Sequence, residues 1–264
     1  MATCYRHPSR ETGVSCSSCG RPICPDCMTP TPVGMRCPEC ARQRTQVQTM
    51  RSTTARGEPR VTIAIIIACA VLFIGTNGFS GGSGSLWNDL VLYGPAIHFG
   101  HDYWRLISAG FLHAGPIHIL FNMYLLWILG TMLEPVLGSG RFAALYFTAL
   151  LCGSFGALLV DDMSVTVGAS GAVFGLMGAA AVELRSRGIN PFKTDIGLLI
   201  IFNLVLSFVL SHVSVGGHIG GLIGGVIVGA AFDVADRQRM PWLAYASCLV
   251  LSAVAVFGGI AAAG

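Results

Sequence analysis

The chain has 264 residues, of which 53% are hydrophobic and only 11% are charged, and its mean hydropathy is +0.67. Soluble domains usually carry about 25% charged residues, so the composition excludes an ordinary soluble protein and indicates that most of the chain lies in lipid. The formal net charge of +3 is small, and we expect no nucleic-acid partner.

The N-terminal segment, residues 1–40, has the pattern of a small metal-binding module. Seven of the ten cysteines lie there, in C-x-x-C or C-x-x-H pairs, a spacing typical of metal ligands rather than of a disulfide framework. The four pairs are Cys4/His7, Cys16/Cys19, Cys24/Cys27 and Cys37/Cys40. Eight soft ligands suit two tetrahedral zinc ions with a structural role, although one zinc ion with spare thiols is an alternative. Forty residues bury little apolar surface, so metal binding is expected to supply the folding energy.

The compartment follows from the same cysteines. Zinc thiolates need a reducing compartment, which predicts a cytosolic N-terminus. Residues 41–60 show no apolar periodicity and are rich in arginine, so we predict a linker there. The polar first 60 residues contain no apolar segment of the kind a cleavable signal peptide needs. The polar N-terminus and the absence of an organelle-targeting segment favour a bacterial plasma membrane.

Apolar segments of membrane-spanning length begin at Val61. The first crossing is Val61–Phe79, and the long glycine- and aromatic-rich segment after it predicts a mostly irregular interfacial loop. Residues 196–232 contain no formal charge and are too long for one crossing, so we predict a break near residues 211–216. The remaining crossings are the second half of 106–133, then 142–160, 163–182 and 240–264. We therefore predict an all-α polytopic membrane protein with seven transmembrane helices and a small N-terminal zinc module.

The distribution of basic residues predicts the orientation. Basic side chains precede the first helix and then fall in every second loop: Arg51, Arg56, Arg60, Arg141, Arg185, Arg187, Lys193, Arg237 and Arg239. The alternate loops hold Asp89, Asp102, Asp161 and Asp162, with Arg105 as the basic exception. The positive-inside rule therefore puts the N-terminus in the cytosol and the C-terminus outside, in agreement with the inference from the cysteines.

Polar side chains within the apolar segments are functional candidates, because a bilayer disfavours them. His118 and Asn122 are spaced i, i+4 and therefore share one face of a helix. Ser170 stands in Gly-Ala-Ser-Gly, where flanking glycines leave its hydroxyl accessible. His218 lies in GGHIGGLIGG, whose glycines at 217, 221 and 225 form a ridge that lets the sixth helix pack closely on the fourth.

These side chains permit acyl transfer. A serine hydroxyl becomes a good nucleophile when a base takes its proton, and a neutral imidazole can do so near pH 7. Ser170 and His218 are therefore predicted to form a dyad, since the apolar helices offer no evident carboxylate for a triad. His118, the Asn122 amide and the Ser170 backbone N–H are predicted to stabilise the oxyanion.

Three stretches resemble rhomboid intramembrane serine proteases. One stretch resembles the loop and second helix of that family: YWRLISAGFLHAGPIHILFNMYLLWILGTMLEPVLGSGRF. A second resembles its nucleophile helix, VGASGAVFGLMGA, and a third resembles its sixth helix, GGHIGGLIGG. The resemblance covers about residues 61–235 and implies a six-helix core, with residues 236–264 as an additional C-terminal helix. It implies an endopeptidase that cleaves single-pass transmembrane substrates without a cofactor, in a water-filled cavity opening to the outer side.

The same resemblance implies residue roles. Ser170 matches the nucleophile, His218 the general base, and His118 and Asn122 the oxyanion positions. Phe174 matches an aromatic residue that packs against the base. Residues with implied structural roles are Trp104, Arg105, Glu134 and Gly138. The N-terminal module resembles B-box-like zinc fingers, whose ligand pairs interleave. That resemblance implies one ion on Cys4, His7, Cys24 and Cys27 and a second on Cys16, Cys19, Cys37 and Cys40.

Three other interpretations remain open. The first is a non-catalytic rhomboid-like protein that binds client helices, although such relatives usually lack the serine or the histidine. The second is a metal or proton transporter using His113, His118, His212 and His218, although acidic residues are nearly absent from the apolar segments. The third is a docking role for the zinc module, with a cytosolic protein partner, which is compatible with protease activity.

Overall fold

The computed structural model describes residues 2–31, 34–42, 58–209 and 213–264. Most of the predicted linker, residues 41–60, lies outside these ranges. The chain divides into two compact units, Met1–Ala55 and Arg56–Gly264, and each has its own buried interior.

The N-terminal unit consists of short elements around cysteines. Its described residues form two antiparallel strand pairs, a 3₁₀ turn at Pro25–Cys27 and one α-helix: β1 (Ala2–Thr3) with β2 (Glu11–Thr12), β3 (Thr29–Thr31) with β4 (Gly34–Arg36), and α1 (Pro38–Arg42). Its buried cluster consists of six cysteines and Ile23 within the described residues. So little apolar surface provides a weak hydrophobic driving force for a unit of this size.

The second unit consists mainly of helices. Its helices are α2 (Arg60–Gly75), α3 (Ser85–Leu90), α4 (Gly94–Gly100), α5 (Arg105–Ser108), α6 (Pro116–Leu137), α7 (Ser139–Val160), α8 (Ser170–Ser186), α9 (Asp195–Val209), α10 (Val215–Arg237) and α11 (Pro241–Ala262). In the part of the chain that the structure describes, α6, α7, α10 and α11 are long and apolar enough to cross a membrane, and α2 and α9 are shorter apolar helices. The chain is an all-α polytopic membrane protein, and the count of seven crossings stays a prediction.

Two boundaries test the sequence interpretation. The predicted break within residues 196–232 is confirmed: α9 ends at Val209, and Ser214 caps α10 by accepting the Gly217 N–H at 3.1 Å. The fourth long helix was predicted from residue 163 but begins at Ser170. The preceding segment is extended because Thr166 exchanges two backbone hydrogen bonds with Leu92, at 3.0 and 3.1 Å.

The loop between α2 and α6 was predicted to be mostly irregular, and this prediction is wrong. Helices α3, α4 and α5 occupy much of it, which satisfies backbone groups that would otherwise be buried without partners. The buried Arg105 side chain holds the loop by donating to the carbonyls of Asn88 (2.6 Å) and Val91 (3.0 Å) and by pairing with Asp102 (2.8 Å). Trp104 Nε1 donates to the Asp89 carbonyl at 3.0 Å. Both side chains therefore have structural contacts, as the family resemblance implied.

Glycines bring α10 against α8 at backbone distance. A methyl group at Gly221 would overlap with the carbonyl of Gly171, and one at Gly225 would overlap with the backbone of Gly175. The predicted packing of the sixth long helix on the fourth is confirmed at these two positions. Gly217 differs, since a methyl group there would meet Ser214 Oγ at 3.1 Å.

A second glycine face of α10, which the sequence analysis did not identify, packs on α7. A methyl group at Gly216 would overlap with the Gly156 carbonyl, and one at Gly220 would overlap with the Cys152 carbonyl. Helix α10 is therefore held by close backbone contact on two sides. This packing sets the position of His218 near its start.

Candidate active site

The centre of the site is a contact between the first turns of two helices. Ser170 is the first residue of α8, and His218 lies in the first turn of α10. Ser170 Oγ and His218 Nε2 are 2.7 Å apart, a distance at which a hydroxyl can donate to an imidazole nitrogen. The structure thus brings together the two residues predicted as nucleophile and base, which are 48 residues apart in the sequence.

Phe174 supports the imidazole from one face. It lies one turn after Ser170 on α8, and its ring stacks on that of His218 with centroids 4.2 Å apart and an interplanar angle of 21°. The stacked ring restricts rotation of the imidazole. It also places a π face beside a ring that would become cationic on accepting a proton.

Ser207 contacts the other imidazole nitrogen, and the sequence analysis missed it. Its Oγ lies 2.5 Å from His218 Nδ1, and the side chain is almost fully buried on α9. Asn203 and Ser207 are polar residues spaced i, i+4 in an apolar helix. The same spacing drew attention to His118 and Asn122, so this pattern was the signal available in the sequence.

His118 and Asn122 lie in the first two turns of α6. Asn122 Nδ2 donates to the His118 carbonyl at 2.9 Å, which leaves its second N–H for another acceptor. His118 Nδ1 lies 3.4 Å from the Ala114 N–H. The opposite nitrogen, Nε2, faces the turn before Ser170, because a methyl group at Gly168 would lie 2.8 Å from it.

All four predicted catalytic residues line one cavity of about 1060 Å³. Helices α6, α8 and α10 all begin beside it, so three helix N-termini, with their free N–H groups, gather at one end of the bundle. Polar side chains of Ser154, Asp161 and Ser164 also line it. The cavity is thus a partly polar space within an apolar bundle.

Two further histidines belong to the transporter interpretation, His113 and His212. His113 is fully buried and packs edge-to-face on His118, with ring centroids 5.1 Å apart. His212 lies outside the described residues.

The eight Cys and His residues of the N-terminal unit form two separate clusters. Their members are Cys4, His7, Cys24 and Cys27 in one and Cys16, Cys19, Cys37 and Cys40 in the other, and within each cluster the ligand atoms lie within 4.8 Å of one another. This is the interleaved grouping that the B-box resemblance implied. Both clusters have the composition and spacing to hold a metal ion.

The distances within the clusters fit a tetrahedral ion. A zinc ion with Zn–S bonds of about 2.3 Å separates its ligand atoms by roughly 3.8 Å. His7 Nδ1 lies 3.3 Å from Cys24 Sγ and 3.5 Å from Cys27 Sγ, and the sulfurs of Cys19 and Cys37 are 3.8 Å apart. These separations are close to those of a tetrahedral zinc site.

A backbone hydrogen bond also favours the thiolate that a metal requires. The Cys37 N–H lies 3.3 Å from Cys16 Sγ, and this contact lowers the pKa of the Cys16 thiol to about 6. The thiolate is the form that binds metal. In the same cluster, the contact with Cys37 raises the pKa of the Cys40 thiol to about 12.

Comparison with known proteins identifies the family. The model of the Rhomboid domain matches residues 100–233, half of the chain and the part that contains Ser170, His218, His118 and Asn122. The chain therefore belongs to the rhomboid family, which confirms the resemblance seen in its motifs.

Individual relatives carry the same family name. "Rhomboid protease GluP" of Bacillus subtilis is 34% identical over 179 residues, which cover 63% of this chain and 34% of GluP. "Putative rhomboid protease YdcA" of the same organism is 36% identical over 129 residues, 47% of this chain and 64% of YdcA. "RHOMBOID-like protein 6, mitochondrial" of Arabidopsis thaliana is 38% identical over 108 residues, 41% of this chain and 35% of the relative. The matched part of the chain thus spans about a third of the length of GluP and of the plant protein.

Proposed function

We propose that this protein is an intramembrane serine endopeptidase that cleaves transmembrane segments of single-pass membrane proteins. The observation that carries the proposal is the 2.7 Å contact between Ser170 Oγ and His218 Nε2 in a partly polar cavity. Membership of a family that includes named proteases supports it.

The first half of the reaction forms an acyl-enzyme. Ser170 Oγ attacks the carbonyl carbon of the scissile peptide bond while its proton moves to His218 Nε2. His218 then gives that proton to the leaving amine nitrogen as the C–N bond breaks. In the second half, a water molecule loses a proton to His218 and attacks the ester, and Ser170 leaves with that proton.

The oxyanion formed in each half needs donors. Ser170 is the first residue of α8, so its backbone N–H has no acceptor within the helix and lies at the positive end of the helix dipole. His118 Nε2 and the free N–H of the Asn122 amide are the side-chain donors. Such preorganised donors in a site of low dielectric contribute strongly to transition-state stabilisation.

The proposal extends to the rest of the chain. Two zinc ions occupy the two Cys/His clusters and have a structural role, because protein atoms supply all four ligands in each. Seven helices cross a bacterial plasma membrane, with the N-terminal module in the cytosol and the cavity opening to the outer side. The module offers a surface to a cytosolic protein partner.

The test is cleavage in liposomes. The purified protein is reconstituted with a model transmembrane substrate and compared with Ser170→Ala, His218→Ala and the control Ser247→Ala, whose hydroxyl donates to the Ala244 carbonyl within α11. We expect both active-site variants to lose at least about 10³-fold in rate and the control to match the wild type. Cleavage that survives Ser170→Ala contradicts the proposed nucleophile.

A serine-directed phosphonate probe tests the same chemistry without a substrate. Labelling of Ser170 in the wild type and its loss in His218→Ala support an activated nucleophile. A wild-type protein that neither cleaves nor reacts with the probe contradicts protease activity and favours a helix-binding protein.

A further inference from the structure

We propose that Ser207 is a positioning residue that fixes the tautomer and the ring orientation of His218. This inference rests on the proposed function, since orientation of the imidazole matters only if His218 acts as a base. The contact itself joins α9 to α10: Ser207 Oγ and His218 Nδ1 are 2.5 Å apart.

The direction of this hydrogen bond follows from counting protons. The single proton of the Ser207 hydroxyl has two acceptors in reach, the Asn203 carbonyl one turn earlier at 2.7 Å and His218 Nδ1. We assign it to the carbonyl, because both contacts are then hydrogen bonds. Toward His218 the same oxygen therefore acts as an acceptor. An acceptor at Nδ1 requires the imidazole to carry its proton on Nδ1.

The consequence appears at the opposite nitrogen. With the proton on Nδ1, neutral His218 has its lone pair on Nε2, which faces Ser170 Oγ at 2.7 Å. This is the tautomer that can take the serine proton, whereas the other tautomer would point an N–H at the nucleophile. Phe174 restrains the plane of the ring, and Ser207 selects which nitrogen is basic.

The position of Ser207 suits this role. Ser207 is 2% exposed and His218 is 8% exposed, so little bulk water competes for Nδ1. A hydroxyl is neutral and does not balance the imidazolium charge as a carboxylate would. We therefore expect loss of Ser207 to reduce the rate by about 3- to 10-fold, far less than the ~10⁴-fold loss when a triad aspartate is changed to asparagine.

The experiment measures the tautomer and the rate in the full-length protein. Nitrogen-15 NMR of histidine-labelled protein, with the His218 signals identified by their loss in His218→Ala, reports which nitrogen is protonated. The variants are Ser207→Ala, Ser207→Thr, which keeps the hydroxyl, and the control Ser247→Ala, which removes a hydroxyl that donates to the Ala244 carbonyl within α11.

We expect wild-type His218 to be protonated on Nδ1 and Ser207→Ala to show a mixture of tautomers. The Ser207→Ala variant should label Ser170 with the phosphonate probe about 3- to 10-fold more slowly and show a lower kcat with an unchanged KM. Ser207→Thr should restore both properties, and Ser247→Ala should match the wild type. A purely structural role for Ser207 would not move the tautomer.

Two outcomes overturn the inference. One is a wild-type His218 protonated on Nε2, which needs no variant to observe. The other is a Ser207→Ala protein whose tautomer and labelling rate equal those of the wild type. Either result can occur while cleavage still depends on Ser170. The proposed protease activity then stands, but protonation of wild-type His218 on Nε2 also contradicts the assignment of Nε2 as the basic nitrogen. Conversely, a wild type that neither cleaves nor labels, but whose Nδ1 proton depends on Ser207, contradicts the proposed function and retains the hydrogen bond.

Discussion

The N-terminal unit and the membrane unit differ in the kinds of residues that form their buried interiors. The described part of the N-terminal unit buries six cysteines and one isoleucine. The membrane unit buries a continuous apolar cluster that includes Leu126, Phe142, Tyr146 and Met177, and it adds glycine faces at which helix backbones touch. One unit is thus arranged around ligand atoms and the other around packed surfaces, so they should respond to different perturbations.

Because of this difference, we expect the two units to be stabilised independently of each other. Metal–thiolate bonds act over a few atoms and vanish when the ion is removed. Close packing in a membrane depends on van der Waals contact and on interhelical hydrogen bonds. Perturbing one unit should therefore leave the other folded, and four changes of decreasing size test this expectation.

Metal removal should have the largest effect. We expect a strong zinc chelator to unfold residues 2–42, because structural zinc contributes on the order of 10 kcal/mol to small domains. Thiol reactivity and limited proteolysis of this unit should rise sharply. Phosphonate labelling of Ser170 should persist, since the membrane unit has its own core. Cysteines that stay unreactive after chelation would contradict a metal-dependent fold.

The change Glu134→Gln should have the next largest effect. The buried Glu134 carboxylate accepts the N–H groups of Val61 and Thr62, both at 2.9 Å, and the hydroxyls of Thr62 and Ser139, at 2.8 and 2.7 Å. A glutamine amide would turn an NH₂ group toward some of these donors. We expect the free energy of unfolding of the membrane unit to fall by about 3 kcal/mol, measured by denaturation in detergent.

The matched control is Glu183→Gln. Its carboxylate pairs with exposed Arg187 on the surface, so we expect a change below about 1 kcal/mol. Equal losses in both variants would show that the Glu134 contacts do not anchor the start of α2.

The change Gly221→Ala should have a smaller effect on stability and a clear effect on the site. A methyl group there overlaps with the Gly171 carbonyl, so α10 must move away from α8. We expect a loss of about 2 kcal/mol in the free energy of unfolding and slower phosphonate labelling, because His218 moves with α10. Gly75→Ala is the control, since its methyl group would meet Leu86 at an ordinary 3.9 Å. Unchanged labelling in Gly221→Ala would contradict the role of this packing in the dyad.

The smallest effect is expected for Asp236→Asn. Its carboxylate pairs with Arg141 at 2.7 Å between the end of α10 and the start of α7, but the Asp236 side chain is 62% exposed. Exposed ion pairs contribute below about 1 kcal/mol. Thermal unfolding in detergent should therefore be almost unchanged, and a loss as large as that of Gly221→Ala would show that charge pairs rather than glycine packing hold α10.

Local sequence patterns predicted some helix boundaries and helix contacts correctly and others incorrectly. The break before α10 and the closeness of α10 to α8 were predicted from chain length and glycine spacing, and both are confirmed. The start of α8 and the helices of the outer loop were predicted incorrectly. Both errors lie where contacts between distant segments, such as Leu92 with Thr166 and Arg105 with Val91, override local preference.

The candidate site also has features that the sequence predicts and features that only the tertiary structure decides. The sequence alone determined the polytopic class, the paired metal-ligand spacing and the candidates Ser170, His218, His118 and Asn122, because these depend on composition and on spacing within single helices. Only the tertiary structure decided that Ser207 faces His218 and that α10 packs by glycine on two sides. Such contacts depend on the rotation and offset of one helix against another, and these are set by the packing of the whole bundle rather than by the residues of either helix.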